Sequence, residues 1–328
     1  MPKKNNTKRR RKLLLLSILF TSILLITTTY AWFTANRVVS IDALNVHVQA
    51  DGGLEVSTDA INWKQVITTD DIKDASKTYP GSENQVPYQL FPTSTGGNVS
   101  NGKLEMFKGE ATNTSGTNYV LVANRSIETN SFGEESDGSF IVFDIFFKTS
   151  NQKDLYLSSN SKITYLGDQS VGIENATRVA FLNEGTSGDN SNIAQNLNNA
   201  SNAIIWEPNY DVHTTYGVQN ALNVYGLHTS TSGATALPYY GVINDIAARD
   251  NVSITEANSN RYPNFFKSVN PNIKTVMNNT NNEQILTLNS GITKLRIYMW
   301  IEGQDVDCED NASYGDISFS LEFTTNPA

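Results

Sequence analysis

Apolar and polar residues alternate with a period of two along much of this 328-residue chain, a pattern typical of strands with one buried face. Leu44, Val46 and Val48 alternate with polar residues in this way and predict an early strand. Residues 51–53, Asp-Gly-Gly, tolerate the positive φ angles of a tight turn, and alternation resumes over 54–56. These two segments therefore predict a hairpin.

Later segments repeat the pattern. Residues 140–147 are apolar at nearly every position, which predicts a central strand covered on both faces. In 294–302 the odd-numbered residues are apolar and share one face, whereas the even-numbered residues share the other. Further predicted strands occupy residues 119–123, 155–157, 163–165, 178–182, 285–288 and 317–323.

Helical patterns are few and short. Residues 68–76, 192–203 and 242–248 each predict a short helix. Many short strands separated by Gly, Asn and Ser turns predict an all-β fold, a β-sandwich or jelly roll. Residues 185–267 are rich in Asn, Ser, Thr and Gly around short apolar patches, which predicts an ordered, loop-rich insertion within a single domain that covers 32–328.

The N-terminal 31 residues differ in character from the rest. Seven basic residues lie within the first 12, and an apolar run of 14 residues follows over 13–26. A cationic head before an apolar core is typical of an export signal, whose core has about 7–15 residues, whereas a membrane-spanning helix needs about 20. Extending the run to Phe33 gives 21 residues. Two outcomes therefore stay open, cleavage between Ala31 and Trp32 or retention as a membrane anchor.

Either outcome places residues 32–328 outside the cytoplasm, at the cell surface or in the extracellular medium. The full chain has 24 basic and 33 acidic residues, of which residues 1–31 hold seven basic and no acidic ones. The exported part therefore keeps 17 basic and 33 acidic residues, a net charge of −16. Such a surface repels phosphate groups, so nucleic acid is excluded as a partner.

Known catalytic motifs do not occur in the sequence. The three histidines, His47, His213 and His228, lack the spacing of a zinc-binding helix, and we interpret His47 as solvated. Ser170 lies in Asp-Gln-Ser-Val-Gly, which has Asp where a nucleophile elbow needs glycine. Cys308 is the only cysteine, which rules out an internal disulfide, and we interpret it as a small buried side chain.

The densest chemical pattern is an acidic stretch near the C-terminus. Asp305, Asp307, Glu309 and Asp316 fall near positions 1, 3, 5 and 12 of a calcium loop, and calcium prefers several oxygen ligands. Asp310 stands where that loop requires glycine. A solvated acidic turn between two strands is the alternative interpretation. Calcium is the only cofactor that the sequence suggests.

Aromatic residues accompany Asn and Pro in the loops of the insertion. Trp206, Tyr210, Tyr239 and Tyr240 belong to this group. Such side chains can stack on a sugar, or they can fill space beneath the loops. We favour the second interpretation.

The junction at residues 29–40, Thr-Tyr-Ala-Trp-Phe-Thr-Ala-Asn-Arg-Val-Val-Ser, and the strand predicted over 41–48 carry a resemblance that covers residues 12–50. They resemble the leader and first strand of the TasA/camelysin group of exported surface proteins of Gram-positive bacteria. This implies processing by a dedicated signal peptidase, a jelly-roll-like mature domain and, as in some members, fibres in which an N-terminal strand joins the next subunit. Residues 300–308 resemble a tail of uncharacterised exported proteins with the same kind of leader. The metalloprotease activity described for camelysins is not carried over, because this sequence lacks a zinc-binding helix.

The resulting expectation is a non-enzymatic structural protein of the cell surface, such as a fibre or biofilm-matrix subunit, that meets the membrane through its N-terminal helix before cleavage. A sheet edge without a neighbour accepts an added strand, so residues 32–48 of one copy can complete the sheet of another. The alternative is that this strand pairs within its own domain. Other hypotheses are an adhesin or carbohydrate-binding module that uses residues 185–267, and a secreted hydrolase. The last residues, Thr-Thr-Asn-Pro-Ala, form no sortase signal, so we expect that the protein is retained through an uncut leader or through assembly, or that it is not retained.

Overall fold

The computed structural model describes residue 12 and residues 39–48, 54–115, 118–167, 172–308 and 315–327. The predicted leader, apart from Lys12, lies outside these residues, as do the cleavage site at Ala31 and Trp32, Ser170 and Glu309. The described chain is mostly β, as the alternation predicts. None of its helices is both long enough and apolar enough to span a lipid bilayer.

Two large sheets contain most of the long strands of the described residues, and β9 (Met106–Ser115) and β10 (Asn118–Ser126) form a separate long pair. The first sheet comprises β1 (Val39–Val48), β3 (Val66–Thr68), β5 (Gln89–Leu90), β13 (Lys153–Leu157), β14 (Lys162–Tyr165), β20 (Glu283–Leu288) and β22 (Asp316–Thr324). The second sheet comprises β2 (Glu55–Ser57), β12 (Ile141–Thr149), β15 (Thr177–Ser187), β16 (Ile204–Glu207), β19 (Ile273–Lys274) and β21 (Gly291–Ile301).

Smaller sheets and three short helices complete the described elements. The smaller sheets pair β4 (Val86–Pro87) with β11 (Phe132–Gly133), β6 (Thr93–Ser94) with β9 (Met106–Ser115) and β10 (Asn118–Ser126), β7 (Val99–Ser100) with β8 (Lys103–Leu104), and β17 (Tyr239–Val242) with β18 (Phe266–Val269). The helices are α1 (Thr69–Asp74), α2 (Ser191–Gln195) and α3 (Thr215–Tyr225).

The main hydrophobic core lies between the two large sheets. One continuous cluster of buried side chains contains residues of β1 and β22 from the first sheet and of β12, β15 and β21 from the second. Phe323 of β22 contacts Phe147 of β12 edge-on, with ring centroids 5.3 Å apart, and Phe181 of β15 at 6.1 Å. Burying each such ring contributes about 1.5–3 kcal/mol, so these contacts hold the sheets face to face.

The second sheet is covered on both faces. The odd-numbered residues of β21, such as Ile297, face the main core. Tyr298 and Trp300 on the opposite face belong to a second cluster, which includes Ile205 and Tyr239 from the insertion. Tyr239 of the insertion therefore packs on the outer face of this sheet together with Leu104 and Met106, and this cover helps to bury β21.

Two of the predicted helices are confirmed in part. α1 begins after Thr68, whose hydroxyl accepts from the Asp71 amide while the Asp71 carboxylate accepts from the Thr68 amide, and this capping box fixes the start. The helix predicted over 192–203 is shorter and ends at Gln195.

The third predicted helix is wrong. Tyr239–Val242 is strand β17, and Val242 O accepts from the Gly96 amide at 2.8 Å. Because this carbonyl is taken by a neighbouring segment, the backbone there cannot continue into a helix. The helical structure nearby consists of two 3₁₀ turns, at Ala248–Asp250 and at Ile254–Glu256.

The predicted hairpin after β1 is also wrong. β1 pairs with β22, β3 and β5 of the first sheet, whereas β2 pairs with β12 of the second. The chain therefore crosses from one sheet to the other between Val48 and Glu55. Alternation identified both strands, but the partner of each depends on residues far away in the sequence.

Candidate functional site

β1 is an interior strand of the first sheet, although it is the first strand of the described chain. It pairs in parallel with β22 from Ser40 opposite Asp316 to Val48 opposite Phe323. Its other edge pairs antiparallel with β5 and with β3. Both edges of β1 are thus satisfied by strands of its own copy.

The inward residues of β1 complete the main core. Leu44, Val46 and Val48 are at most 6% exposed, as the alternation predicts, and they meet Phe319, Leu321 and Phe323 of β22. His47 lies on the opposite, half-exposed face, as predicted. The strand therefore buries apolar side chains in the main core, and this burial stabilises the fold.

The acidic stretch after β21 is largely buried rather than solvated. Glu302 accepts hydrogen bonds from Trp300 Nε1 at 3.0 Å and from the Gln304 amide at 3.1 Å. Asp305 forms an ion pair with Arg178. The thiol of Cys308 is buried in the main core, as predicted.

Asp307 joins this stretch to the insertion. One carboxylate oxygen accepts from the Thr214 amide at 2.8 Å, and the other bonds His213 Nδ1 at 2.7 Å. Thr214 is the N-cap of α3, so Asp307 binds the start of that helix. A hydrogen bond from Tyr225 Oη to the carbonyl of Gln304, 2.5 Å long, attaches the end of α3 to the same turn.

Arg178 of β15 lies at the centre of the resulting charged network. Its guanidinium donates to Glu207 at 2.8 Å, to Asp305, and to the carbonyls of Asn175 and Thr177. The Arg178 side chain is fully buried, and Glu207 and Asp305 are nearly so. Removing either partner of such an ion pair would destabilise the fold, because the other partner would be left as a buried, uncompensated charge.

Carboxylates outnumber cations in this network. Glu207, Glu302 and Asp305 act on Arg178, and Asp307 acts on His213. Lys274 is a further permanent cation near Glu207, and His213 is able to add another positive charge. Burial raises the pKa of both Glu207 and Glu302 to about 7, although the charge of Arg178 opposes this. At neutral pH these two glutamates are therefore partly protonated.

His213 responds to the same surplus of negative charge. Burial favours its neutral form, but the hydrogen bond to Asp307 and the nearby carboxylates outweigh burial and raise the pKa of His213. Within the described residues, His213 Nε2 and Glu207 Oε2 are buried without a hydrogen-bond partner. The arrangement holds protons tightly and provides no exposed acid–base pair.

The predicted calcium ligands are brought together only in part. Asp305 and Asp307 share one turn, in which the Asp307 amide donates to Asp305 Oδ1 at 2.8 Å. Asp316 is exposed at the start of β22, and Glu309 is outside the described residues. No group of three His, Cys, Asp or Glu side chains in the described ranges is arranged to hold a metal ion. Calcium binding that involves Glu309 stays a prediction.

Two of the four aromatic residues, Trp206 and Tyr239, are packed inward as we favoured, whereas Tyr210 and Tyr240 are half-exposed. Trp206 is 1% exposed and donates from Nε1 to Thr275 Oγ1 at 2.9 Å. Tyr239 is 2% exposed, with the Arg178 guanidinium 5.7 Å from its ring centroid. Neither ring offers a surface for stacking on a sugar.

A second buried network was not predicted from the sequence. Arg296 of β21 donates to Asp144 of β12 through Nε at 2.8 Å and Nη2 at 3.1 Å. Lys294 and Tyr79 also contact Asp144, at 3.1 Å and 2.9 Å. The sequence did contain one sign of this network, since Asp144 interrupts the apolar run 140–147. Its partner Arg296 could not be identified without knowledge of the strand pairing.

A surface cleft near α1 is lined by charged side chains that are paired with one another, such as Lys77 with Asp74. Lys64 pairs with Asp71 there. Asp59 accepts hydrogen bonds from Ser57, Thr78 and the backbone beyond it; burial opposes ionisation, but these bonds outweigh it and lower the pKa of Asp59 to about 2. Its carboxylate therefore anchors a turn and is unsuited to general acid–base catalysis at neutral pH.

Comparisons with protein-family models, with curated proteins and with solved structures found no match to this chain. The resemblance of residues 12–50 to the TasA/camelysin group thus stays an expectation from the sequence. The placement of β1 and the buried networks are the features of the molecule that bear on its function.

Proposed function

We propose that this protein is a non-enzymatic structural protein of the cell surface or extracellular space, a jelly-roll-like β-sandwich whose copies assemble by exchanging β1. One observation carries the proposal. β1 is an interior strand of its sheet, yet every strand that it pairs with lies after it and apart from it in the sequence.

An interior strand at the start of the chain is suited to exchange. If β1 leaves, β22 loses its parallel partner, and β3 and β5 lose their antiparallel one. Their unpaired N–H and C=O groups then form an acceptor for an extended segment. β1 of a second copy has the same side chains in the same order and satisfies the same groups. Because each copy gives one strand and receives another, the contact is heterologous and can extend into a filament.

The sequence before β1 supports the same proposal. A basic and apolar leader is expected to bring the chain to the membrane, where signal peptidase would cut between Ala31 and Trp32. Val39, the start of β1, would then be the eighth residue of the processed chain. A strand this close to a free end is joined to the rest of its domain on one side only, which favours its exchange with β1 of another copy. An uncut leader would instead hold β1 at the membrane.

The buried networks favour a structural role over the alternatives. The carboxylates of Glu302, Asp305 and Asp307 are engaged by protein groups that join the turn after β21 to neighbouring segments, which supports a structural role for them. Trp206 and Tyr239 are buried, which argues against carbohydrate binding through these rings.

A disulfide that locks β1 in its own sheet tests the proposal. Asn45 lies opposite Ser320, and both side chains are half-buried on the face away from the core. We expect N45C/S320C with Cys308→Ala, refolded from the Trp32 start, to form filaments when reduced and to stay monomeric when oxidised. Electron microscopy and sedimentation measure both states, with C308A alone as the control.

Two results would contradict strand exchange. One is filaments that form equally well from the oxidised, locked protein. The other is a monodisperse monomer of the C308A control at every concentration and salt condition. The locked variant keeps the native pairing, so failure to assemble is not explained by loss of the fold.

A further inference from the structure

β1 contains one residue too many for regular pairing with β22. Ile41 lies opposite Ile317, but the next pair is Ala43 with Ser318, so Asp42 has no counterpart and forms a bulge. Asp42 is exposed, and its carboxylate accepts a hydrogen bond from Ser318 Oγ at 3.0 Å.

The bulge reverses the alternation of β1. Before it, Val39 and Ile41 point to the core, and after it Leu44, Val46 and Val48 do. Inward residues are thus odd-numbered on one side of Asp42 and even-numbered on the other. Without Asp42 the strand would read Val-Ser-Ile-Ala-Leu-Asn-Val-His-Val, with an apolar residue at every second position.

The opposite edge of β1 changes partner at the same point. Val39 and Ser40 pair with β5, whereas Asn45, Val46 and His47 pair with β3. The strand is therefore divided into two halves, each with its own neighbours on one edge, and the bulge lies between the halves.

A regular alternating strand does not fix its own register. A slip of two residues keeps every apolar side chain on the core face and loses only two residue pairs at one end. When the bulge is present, the same slip breaks the hydrogen bond between Asp42 and Ser318. It also moves the extra residue into a stretch of β1 that has to pair with β5 or with β3. Only one register then satisfies both halves.

We propose that the extra residue at Asp42 fixes the register of β1, and so determines how β1 of one copy docks against β22 of another. The intermolecular part rests on the proposed strand exchange. The recognised partner is a second copy of this chain, which presents Ile317 and Ser318 on either side of the break in pairing.

Cysteine crosslinking reads the register directly, because disulfide formation requires Cα atoms about 4.4–6.8 Å apart. S320C is the common acceptor in a Cys308→Ala background. N45C reports the observed register, and H47C reports a slip of two residues. Donor and acceptor variants are mixed in urea and refolded together, and each pair is also built within one chain.

With Asp42 present, we expect a disulfide dimer from N45C with S320C and none from H47C with S320C. Deleting Asp42 should allow both disulfide dimers to form. Deleting Ala43 restores the same alternation and should act alike, whereas Asp42→Ala keeps the extra residue and should retain the single register.

A dimer from H47C with S320C in the presence of Asp42 would overturn the proposal. So would a single register after both deletions, or loss of the fold in both, because a regular strand fills the same core. If N45C and S320C form a disulfide within one chain but no disulfide dimer forms between chains, the proposed strand exchange is wrong. The intermolecular part of the present proposal is then wrong as well. The single-chain variants then still show whether Asp42 fixes the register.

Discussion

Val46 of β1 lies directly opposite Leu321 of β22, in a parallel pair that joins the start of the described chain to its end. Both side chains are fully buried between the sheets. The start and end of the domain are therefore folded together, and the core is incomplete until β1 is in place. This relationship underlies both the stability of the monomer and the proposed assembly.

Truncating Leu321 should strongly destabilise the protein. Leu321→Ala removes buried methyl groups and leaves a cavity between the sheets, which typically costs about 2–5 kcal/mol. Ser320→Ala, one residue away on the half-exposed face, should change stability by less than about 0.5 kcal/mol. Urea unfolding followed by circular dichroism compares the two. Equal effects would show that β22 does not pack as described.

Breaking the Asp144–Arg296 pair should be costly. Burial opposes ionisation of Asp144, but the charges of Arg296 and Lys294 outweigh it and hold the pKa of Asp144 far below its usual range. Asp144→Ala leaves two buried cations without their anion, and losses of about 3–5 kcal/mol are typical.

Exposed ion pairs provide the contrast. Lys77 and Asp74 lie 2.8 Å apart on the surface, and Asp74→Ala should cost at most about 1 kcal/mol. Denaturant midpoints measure both variants. A loss for Asp144→Ala no larger than for Asp74→Ala would argue that Arg296 and Lys294 remain solvated.

Stability should decrease as pH rises through neutrality. The folded-state pKa of Glu207 and Glu302 is about 7, above the unfolded value of 4.5, so the folded state binds protons more tightly. Their contribution is complete below about pH 4.5 and is lost as pH approaches and passes 7. His213 acts in the same direction, because its pKa is also raised. Asp59 and Asp144, whose pKa values are lowered, are already ionised in this window.

Thermal unfolding between pH 5 and pH 8 measures this dependence. We expect a higher unfolding midpoint at pH 5 than at pH 8. The difference between the two midpoints should be smaller for Glu302→Gln, because its neutral amide replaces the carboxyl group and does not titrate. A midpoint that rises steadily from pH 5 to pH 8 would contradict the account of the buried network.

Asp307 should stabilise the first turn of α3. Asp307→Ala removes the acceptor of the Thr214 amide and the partner of His213, so the helix start loses its attachment to the sheet. Hydrogen exchange over Thr215–Tyr225 should accelerate, whereas Asp316→Ala, at an exposed strand end, should leave it unchanged. Unchanged protection in Asp307→Ala would mean that α3 is held by other contacts.

The sequence predicted individual strands better than their neighbours. Alternation located β1, β12, β21 and β22, because each buries at least one face along its length. It could not show that β1 pairs with β22 rather than with β2, since that choice depends on contacts across more than 270 residues. The Asp42 bulge could have been recognised as a break in the alternation, yet its partner Ser318 could not.

α3, the longest helix of the described residues, was missed for a local reason. α3 contains Gly217, Asn220 and Asn223, which lower helix propensity, so its pattern resembles a loop. Its ends were nevertheless marked, by Thr214 as the N-cap and by Gly226 at φ 67° after the last turn. The buried networks were not predictable, because Arg178 meets Asp305 and Asp307 meets His213 only through the tertiary fold.

Cryo-electron microscopy of filaments grown from the Trp32 start tests strand exchange most directly. The account predicts continuous density from Glu55 of one subunit into β1 of the same chain, placed beside β22 of the neighbouring subunit. Density that places β1 beside β22 of its own subunit within the filament would contradict it.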